Sequence, residues 1–182
     1  MSPPKKTAKK AVGHHHDKHH AANDLRRAFE HLGRVAVLRQ TSQSSATEAI
    51  ADLTALAQRA IKDEHFNDAA DLLRASEHLS FAGFGGEASW DVRISAELKT
   101  SITDQFDELM RWADEHWGEI ESSGILAEIY QSSRDSATRA FKARAYHQAL
   151  EYARAAEALA HVKQRGAPKL VRGNQDLQLK SA

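Results

Sequence analysis

Five histidines close to the start of the chain are the residues whose type and spacing most directly suggest chemistry. They are His14, His15, His16, His19 and His20. Neutral imidazoles bind zinc, nickel or copper, and a run of several can supply several ligands to a weakly held Zn²⁺ or Ni²⁺ ion. The neighbouring sequence offers no evident partner to fix the orientation of the rings. Weak metal binding is therefore one hypothesis for this cluster, and a solvated tail is the other.

A second spacing suggests catalysis. Arg111 and His116 are separated by four residues, which resembles the Arg-x4-His motif of HEPN-type ribonucleases. That resemblance implies RNA cleavage by this pair within a small helical bundle. Trp112 departs from the family, whose motif usually carries a small polar residue after the arginine. The alternative is a solvated arginine beside a histidine that is partly packed against Trp117. No nucleophile elbow or catalytic triad is apparent, so we predict that the chain is not an enzyme.

Composition narrows the class of protein further. The 182 residues contain no cysteine, which excludes disulfides, thiolate metal sites and a cysteine nucleophile. Lys and Arg total 25, as do Asp and Glu, and 41% of the residues are hydrophobic. No apolar run is long enough to cross a membrane, so we expect a cytoplasmic protein without membrane contact. Three prolines and nine glycines favour helices.

The zero net charge conceals two basic ends around an acidic middle. Residues 1–20 carry five lysines against one aspartate, and residues 163–182 carry five basic residues against one aspartate. Because neither end has apolar periodicity, we predict disordered tails over 1–21, rich in Lys and His, and over 165–182. Such tails either bind nucleic acid or another polyanion, or only keep the chain soluble.

Apolar spacing in the middle predicts six helices. The first covers about 22–39 and places Leu25, Phe29, Leu32 and Ala36 on its core face. The second opens at a capping box, 45–48, and the third covers about 67–82 before a glycine-rich stretch. The fourth, fifth and sixth cover about 89–117, 123–144 and 146–164. Within the helices, Arg74 with Glu77 and Arg154 with Glu157 have the spacing of surface ion pairs.

An internal duplication appears when the sequence is aligned with a copy of itself so that residue 57 is placed opposite residue 137. Residues 57–82 then share nine identities with 137–162, and the same shift carries the first helix onto 102–119. We therefore predict an all-α domain over 22–164, made of two tandem three-helix units at about 22–83 and 88–164. The units would form a six-helix bundle or a short α-superhelix.

Each copy also carries a pattern of small and aromatic residues in its helical hairpin. The positions are Ala60, Phe66, Ala69 and Ala75 in the first copy and Ala140, Tyr146, Ala149 and Ala155 in the second. This pattern resembles tetratricopeptide-type repeats, in which small residues let two helices approach and an aromatic residue fills the turn. The spacing of the copies, which carries Ala60 onto Ala140, is much longer than the period of 34 in that family. The resemblance implies a surface for binding proteins.

Together these features predict a non-enzymatic helical scaffold that binds a protein or peptide. A nucleic-acid or polyanion accessory protein that uses the basic tails is one alternative, and a HEPN-like ribonuclease is another. Trp112 lies off the main apolar stripe of the fourth helix, so it is a candidate for an exposed contact point.

Overall fold

The computed structural model describes residues 13–41, 46–84, 95–118 and 124–164, and the side chains of 20–40, 46–83, 95–118 and 124–162. Within these ranges the chain forms six helices and no strand. They are α1 (Gly13–Thr41), α2 (Thr47–Lys62), α3 (Phe66–Phe84), α4 (Ala96–Trp117), α5 (Ile125–Lys142) and α6 (Tyr146–Gln164). The prediction of an all-α fold is confirmed. No helix in the described part of the chain is long and apolar enough to cross a membrane.

The six helices form two equivalent three-helix units. In the first unit, α1 and α2 both pack on α3, and in the second, α4 and α5 both pack on α6. The extensive contact between α3 and α6 joins the two units. The two tandem units predicted from the sequence are thus present, each built around its last helix.

The central helices run antiparallel to each other. Arg74 of α3 contacts Glu157 of α6 at 2.7 Å, whereas His78, one turn later, contacts the earlier residue Glu151 at 2.7 Å. Equivalent helices that cross antiparallel are related by an approximate two-fold axis, whereas the repeats of a solenoid stack by translation. The arrangement is therefore a bundle and not a superhelix.

The two hairpins end their first helices in the same way. Glu64 and Arg144, which are equivalent positions of the duplication, both have a φ of 62° in the left-handed region. In the first hairpin, the N–H of His65 donates to the carbonyl of Ala60 at 2.8 Å, and the corresponding bond of the second measures 2.9 Å. These bonds are those of the Schellman motif, which usually uses glycine at the left-handed position. The duplication therefore extends to the backbone of the turns.

The small residues of the hairpins lie where the two helices meet. Ala69 and Ala149 are fully buried, and Ala75 and Ala155 are also fully buried near the crossing of α3 and α6. Alanine at such positions lets helix backbones approach closely without side-chain strain. The resemblance to tetratricopeptide hairpins stays an expectation about these residues.

Three helix starts differ from the predicted ones. Helix α1 begins at Gly13, so the histidine cluster, which we predicted in a tail, lies on its first turns, where no proline interrupts the helix. Helix α2 begins after Ala46, which makes no side-chain cap bond, rather than at the predicted capping box. The described part of α4 begins at Ala96 because Ser95 has extended backbone and its hydroxyl accepts from the N–H of Leu98 at 3.2 Å. Residues 1–12 and 165–182 lie outside the described ranges, as do 42–45, 85–94 and 119–123, so the tail prediction for the two ends stays a prediction.

Candidate interaction face on helix α1

The position of α1 is set by a buried carboxylate on α3. Glu77 is only 8% exposed. The Nε of Arg34 donates to its Oε1 at 2.5 Å, and the Nδ1 of His31 lies 2.5 Å from its Oε2. Because an ionised carboxylate only accepts hydrogen bonds, this nitrogen donates to Glu77 and does not accept from the Nη2 of Arg34, which lies 2.8 Å away. Two basic residues of α1 therefore have to point toward α3.

This contact goes together with a rotation of α1 away from its predicted core face. The helix buries Ala28 and Val35, which lie on the same side as His31. Phe29 is 56% exposed, and Ala36 is also exposed, so the prediction that these two residues face the core is wrong. Both faces have apolar residues at helical spacing, and only the face with Ala28 and Val35 also brings His31 and Arg34 to Glu77.

The rotation leaves apolar residues on the side of α1 that points away from the core. We call Phe29, Gly33, Ala36 and Val37 the outward face of α1. Val37 is 62% exposed, and a Cβ added at Gly33 would meet no atom of the described residues within 4 Å. A glycine in a helix interior lowers helix stability by about 1 kcal/mol relative to alanine. Nothing within the described chain uses this glycine.

The equivalent face of helix α4, in the second unit, provides a comparison for the outward face of α1. Residues 22–33 of α1 and 100–111 of α4 have the same order of exposed, half-buried and buried positions. Ala28 thus corresponds to Phe106 and Val35 to Ala113, which are all buried. The predicted shift, which carried the first helix onto 102–119, is therefore wrong by two positions for this pair of helices.

With that register, the outward face of α1 corresponds to a charged face on α4. The counterparts are Asp107, Arg111, Asp114 and Glu115, and all four are exposed. Arg111 forms an ion pair with Glu115 at 3.0 Å, as is usual on a solvated helix. The fold therefore does not require apolar residues at this place, because the equivalent helix lacks them.

The flanks of the α1 outward face are polar. Arg26 and Glu30 are largely exposed and lie 3.7 Å apart at their charged atoms. Arg34 is half exposed beside them while it contacts Glu77. An apolar strip with charged borders is the usual composition of a protein–protein contact, with its apolar residues at the centre and its polar residues at the rim.

The predicted ion pairs within α3 and within α6 are wrong. Arg74 contacts Glu157 across the bundle, and Glu77 contacts α1. Arg154 contacts Glu151, three residues earlier in the same helix, at 2.7 Å. The spacing in the sequence is correct for helix neighbours, but partly buried charges pair across interfaces, where removal from water makes a partner necessary.

Two buried glutamates keep their charge through these contacts. Burial alone would raise the pKa of Glu77, but the hydrogen bonds from His31 and Arg34 outweigh it and hold that pKa below its ordinary value. Burial also opposes ionisation of Glu151, and the hydrogen bond and charge of His78 lower its pKa nonetheless. Both carboxylates therefore act as fixed negative charges that connect the helices near neutral pH.

A separate cluster connects α4 to α5. Arg134 donates two hydrogen bonds to the carboxylate of Asp114 at 2.7 and 2.8 Å, and the hydroxyl of Tyr130 donates to it at 2.9 Å. The bonds from Arg134 lower the pKa of Asp114 more than its burial raises it. Trp117 stacks on Tyr130 with ring centres 3.9 Å apart, beside an open groove of about 610 Å³. The bidentate ion pair between Arg134 and Asp114 therefore connects α4 to α5.

The residues of the HEPN-like spacing are each engaged within α4. Arg111 contacts Glu115, and the Nδ1 of His116 donates to the carbonyl of Trp112 at 2.8 Å. Trp112 is half-buried. Its ring stacks on that of His116 with ring centres 3.8 Å apart, and the ring centre of His161 of α6 lies 4.2 Å away. The prediction of an exposed contact point at Trp112 is therefore wrong, because this ring packs between two helices.

The side chains of the predicted metal cluster are mostly outside the described residues. His14, His15, His16 and His19 have described backbone only, on the first turns of α1. His20 is exposed. Among the side chains that the structure describes, no group of three or more histidine, aspartate or glutamate residues is arranged to hold a metal ion. The metal hypothesis stays a prediction.

Comparison with known proteins adds no relationship: no family model, curated protein or solved structure matches the chain.

Proposed function

We propose that the chain is a non-enzymatic helical scaffold that binds a protein partner through the outward face of α1. The observation that supports this most strongly is the contrast between equivalent helices. Phe29, Gly33 and Val37 stand where α4 carries Asp107, Arg111 and Glu115. An apolar cluster that the fold does not require, and that lies on the surface, is typical of an interaction site.

The two alternatives receive less support. The lysines and arginines that would bind a polyanion lie in 1–20 and 163–182, and their side chains are outside the described ones. Arg111 and His116, the residues of the ribonuclease hypothesis, make their described contacts within α4. The proposal of a scaffold therefore rests on a feature of the described surface that the alternatives do not use.

Photocross-linking in the organism that encodes the chain tests the proposal. Two variants of the chain carry a photoreactive phenylalanine analogue. One variant has it in place of Phe29 and the other in place of Asp107, which is structurally equivalent. We expect a cross-linked protein adduct from position 29 and none from position 107. The absence of an adduct at position 29, or equal adducts at both positions, would contradict the proposed function.

A further inference from the structure

We propose that the outward face of α1 binds the same face of a second copy of this chain, in an antiparallel arrangement centred on Gly33. This inference rests on the proposed function and names its partner. Phe29 lies four residues before Gly33, and Val37 lies four residues after it. Both side chains are on the exposed side of α1, one on each side of Gly33. The face is therefore symmetric about its glycine.

A two-fold axis through the two glycines makes this face complementary to itself. In two antiparallel helices, residues that are equally far from the axis in opposite directions lie side by side. Phe29 of one copy then packs beside Val37 and Ala36 of the other. Gly33 lies opposite Gly33, where the absence of a side chain allows the two backbones to approach closely. The glycine, which has no role within the described chain, acquires one in this pair.

The charges favour the antiparallel arrangement over the parallel one. In a parallel pair, Arg26 would lie opposite Arg26 and Glu30 opposite Glu30, so that like charges would meet. In the antiparallel pair, Glu30 lies within one helical turn of Arg34 of the other copy. The two copies of Arg34 also lie close together, but each is already paired with Glu77 of its own chain. The antiparallel pair therefore has fewer like-charge contacts than the parallel pair.

The size of the face limits the expected affinity. Residues 22–40 form a strip about 28 Å long at 1.5 Å per residue. Two such helices bury less than about 1,000 Å² in total, which is at the weak end of specific interfaces. We therefore expect a dimer that dissociates in the micromolar range and has twice the 20.2 kDa mass of the chain.

Sedimentation equilibrium of the purified full chain, from a few micromolar to several hundred micromolar, measures this association. We expect Phe29→Asp to raise the dissociation constant at least ten-fold, because it replaces an apolar ring with a carboxylate in both copies of the contact. Asp107→Asn, on the equivalent face of α4, should change it less than two-fold. Circular dichroism of Phe29→Asp at low concentration should match that of the parent, since Phe29 is mostly exposed in the monomer.

Disulfide trapping tests the orientation, and the absence of natural cysteines makes single replacements unambiguous. Gly33→Cys should form a covalent dimer under mild oxidation, because the two Cα atoms meet at the axis. Ala22→Cys should not, because its two copies would be about 33 Å apart. Efficient trapping of both would overturn the antiparallel arrangement.

Two outcomes would overturn the second copy as partner. One is the mass of a single chain at every concentration, and the other is a dimer that Phe29→Asp leaves intact. In either case an adduct to a different protein in the photocross-linking experiment would still support the proposed function.

Discussion

The contact of Glu77 with α1 makes the most direct quantitative prediction. Glu77→Gln keeps the size of the side chain but removes its negative charge, and the new amide N–H group faces donors of Arg34 and His31. Hydrogen bonds to charged groups stabilise proteins by about 1.5–3 kcal/mol each, and a buried donor without an acceptor costs about 1–3 kcal/mol. We expect the free energy of unfolding at pH 7 to fall by about 2–3 kcal/mol, because part of one contact survives.

The matched control lies on the surface of α1. Glu30→Gln removes the same charge from an exposed pair with Arg26, and such pairs contribute only about 0.2–1 kcal/mol. Urea denaturation followed by circular dichroism measures both variants. If Glu77→Gln costs no more than Glu30→Gln, the buried carboxylate does not hold α1 on α3.

The dependence on pH gives an independent test of the same contact. The pKa of Glu77 in the folded protein lies below its ordinary value of 4.5. Its contribution is therefore fully present above about pH 4.5 and is lost as the pH falls through the lower, folded-state pKa. The difference between the parent and Glu77→Gln should be about the same at pH 5.5 as at pH 7, since the lowered pKa keeps Glu77 ionised at both. It should shrink below about pH 4.5, and a difference that grows there would refute the reasoning.

Two further predictions concern the hairpins. Glu64→Gly and Arg144→Gly should each raise the free energy of unfolding by roughly 0.5–1 kcal/mol, because glycine adopts the left-handed conformation without strain, and a lower urea midpoint for both would contradict the turn geometry. Ala69→Leu and Ala149→Leu should each lower the free energy of unfolding by about 1–3 kcal/mol through overpacking, whereas Ala51→Leu on the exposed side of α2 should change it by less than about 0.5 kcal/mol. Thermal melts of the three variants check this, and indistinguishable melts would mean that Ala69 and Ala149 are not at a helix interface.

The hairpins could be predicted from the sequence because their signals are local. A run of alanines at helical spacing, followed after a short turn by a second run, defines two helices that pack closely. The same pattern recurs around Ala149 and predicted the second unit. Burial of Ala69 and Ala149 follows directly from this pattern. Local spacing also predicted the two-unit organisation, since each unit is a hairpin with one further helix.

The orientation of α1 could not be predicted because the residues that it packs against are distant in the sequence. The face with Phe29 and the face with Ala28 both have apolar residues every three or four positions. Only the second face brings His31 and Arg34, which lie 46 and 43 residues earlier, to Glu77. One signal in the sequence is relevant: in the register that pairs α1 with α4, Val37 stands where α4 has a charged residue. That register can be recognised only by comparing which residues of α1 and of α4 are buried in the structure.

The ion pairs at the two-fold axis explain why different side chains hold the outer helices α1 and α4. Perfect symmetry would pair Arg74 with Glu157 and Arg154 with Glu77. Only the first pair forms; Arg154 turns to a glutamate of its own helix, and Glu77 is left to accept from α1. In the second unit the equivalent glutamate is occupied by Arg74, so α4 packs on α6 through Trp112 instead. One broken symmetry relation therefore changes which side chains hold each outer helix, while α1 and α4 keep equivalent rotations.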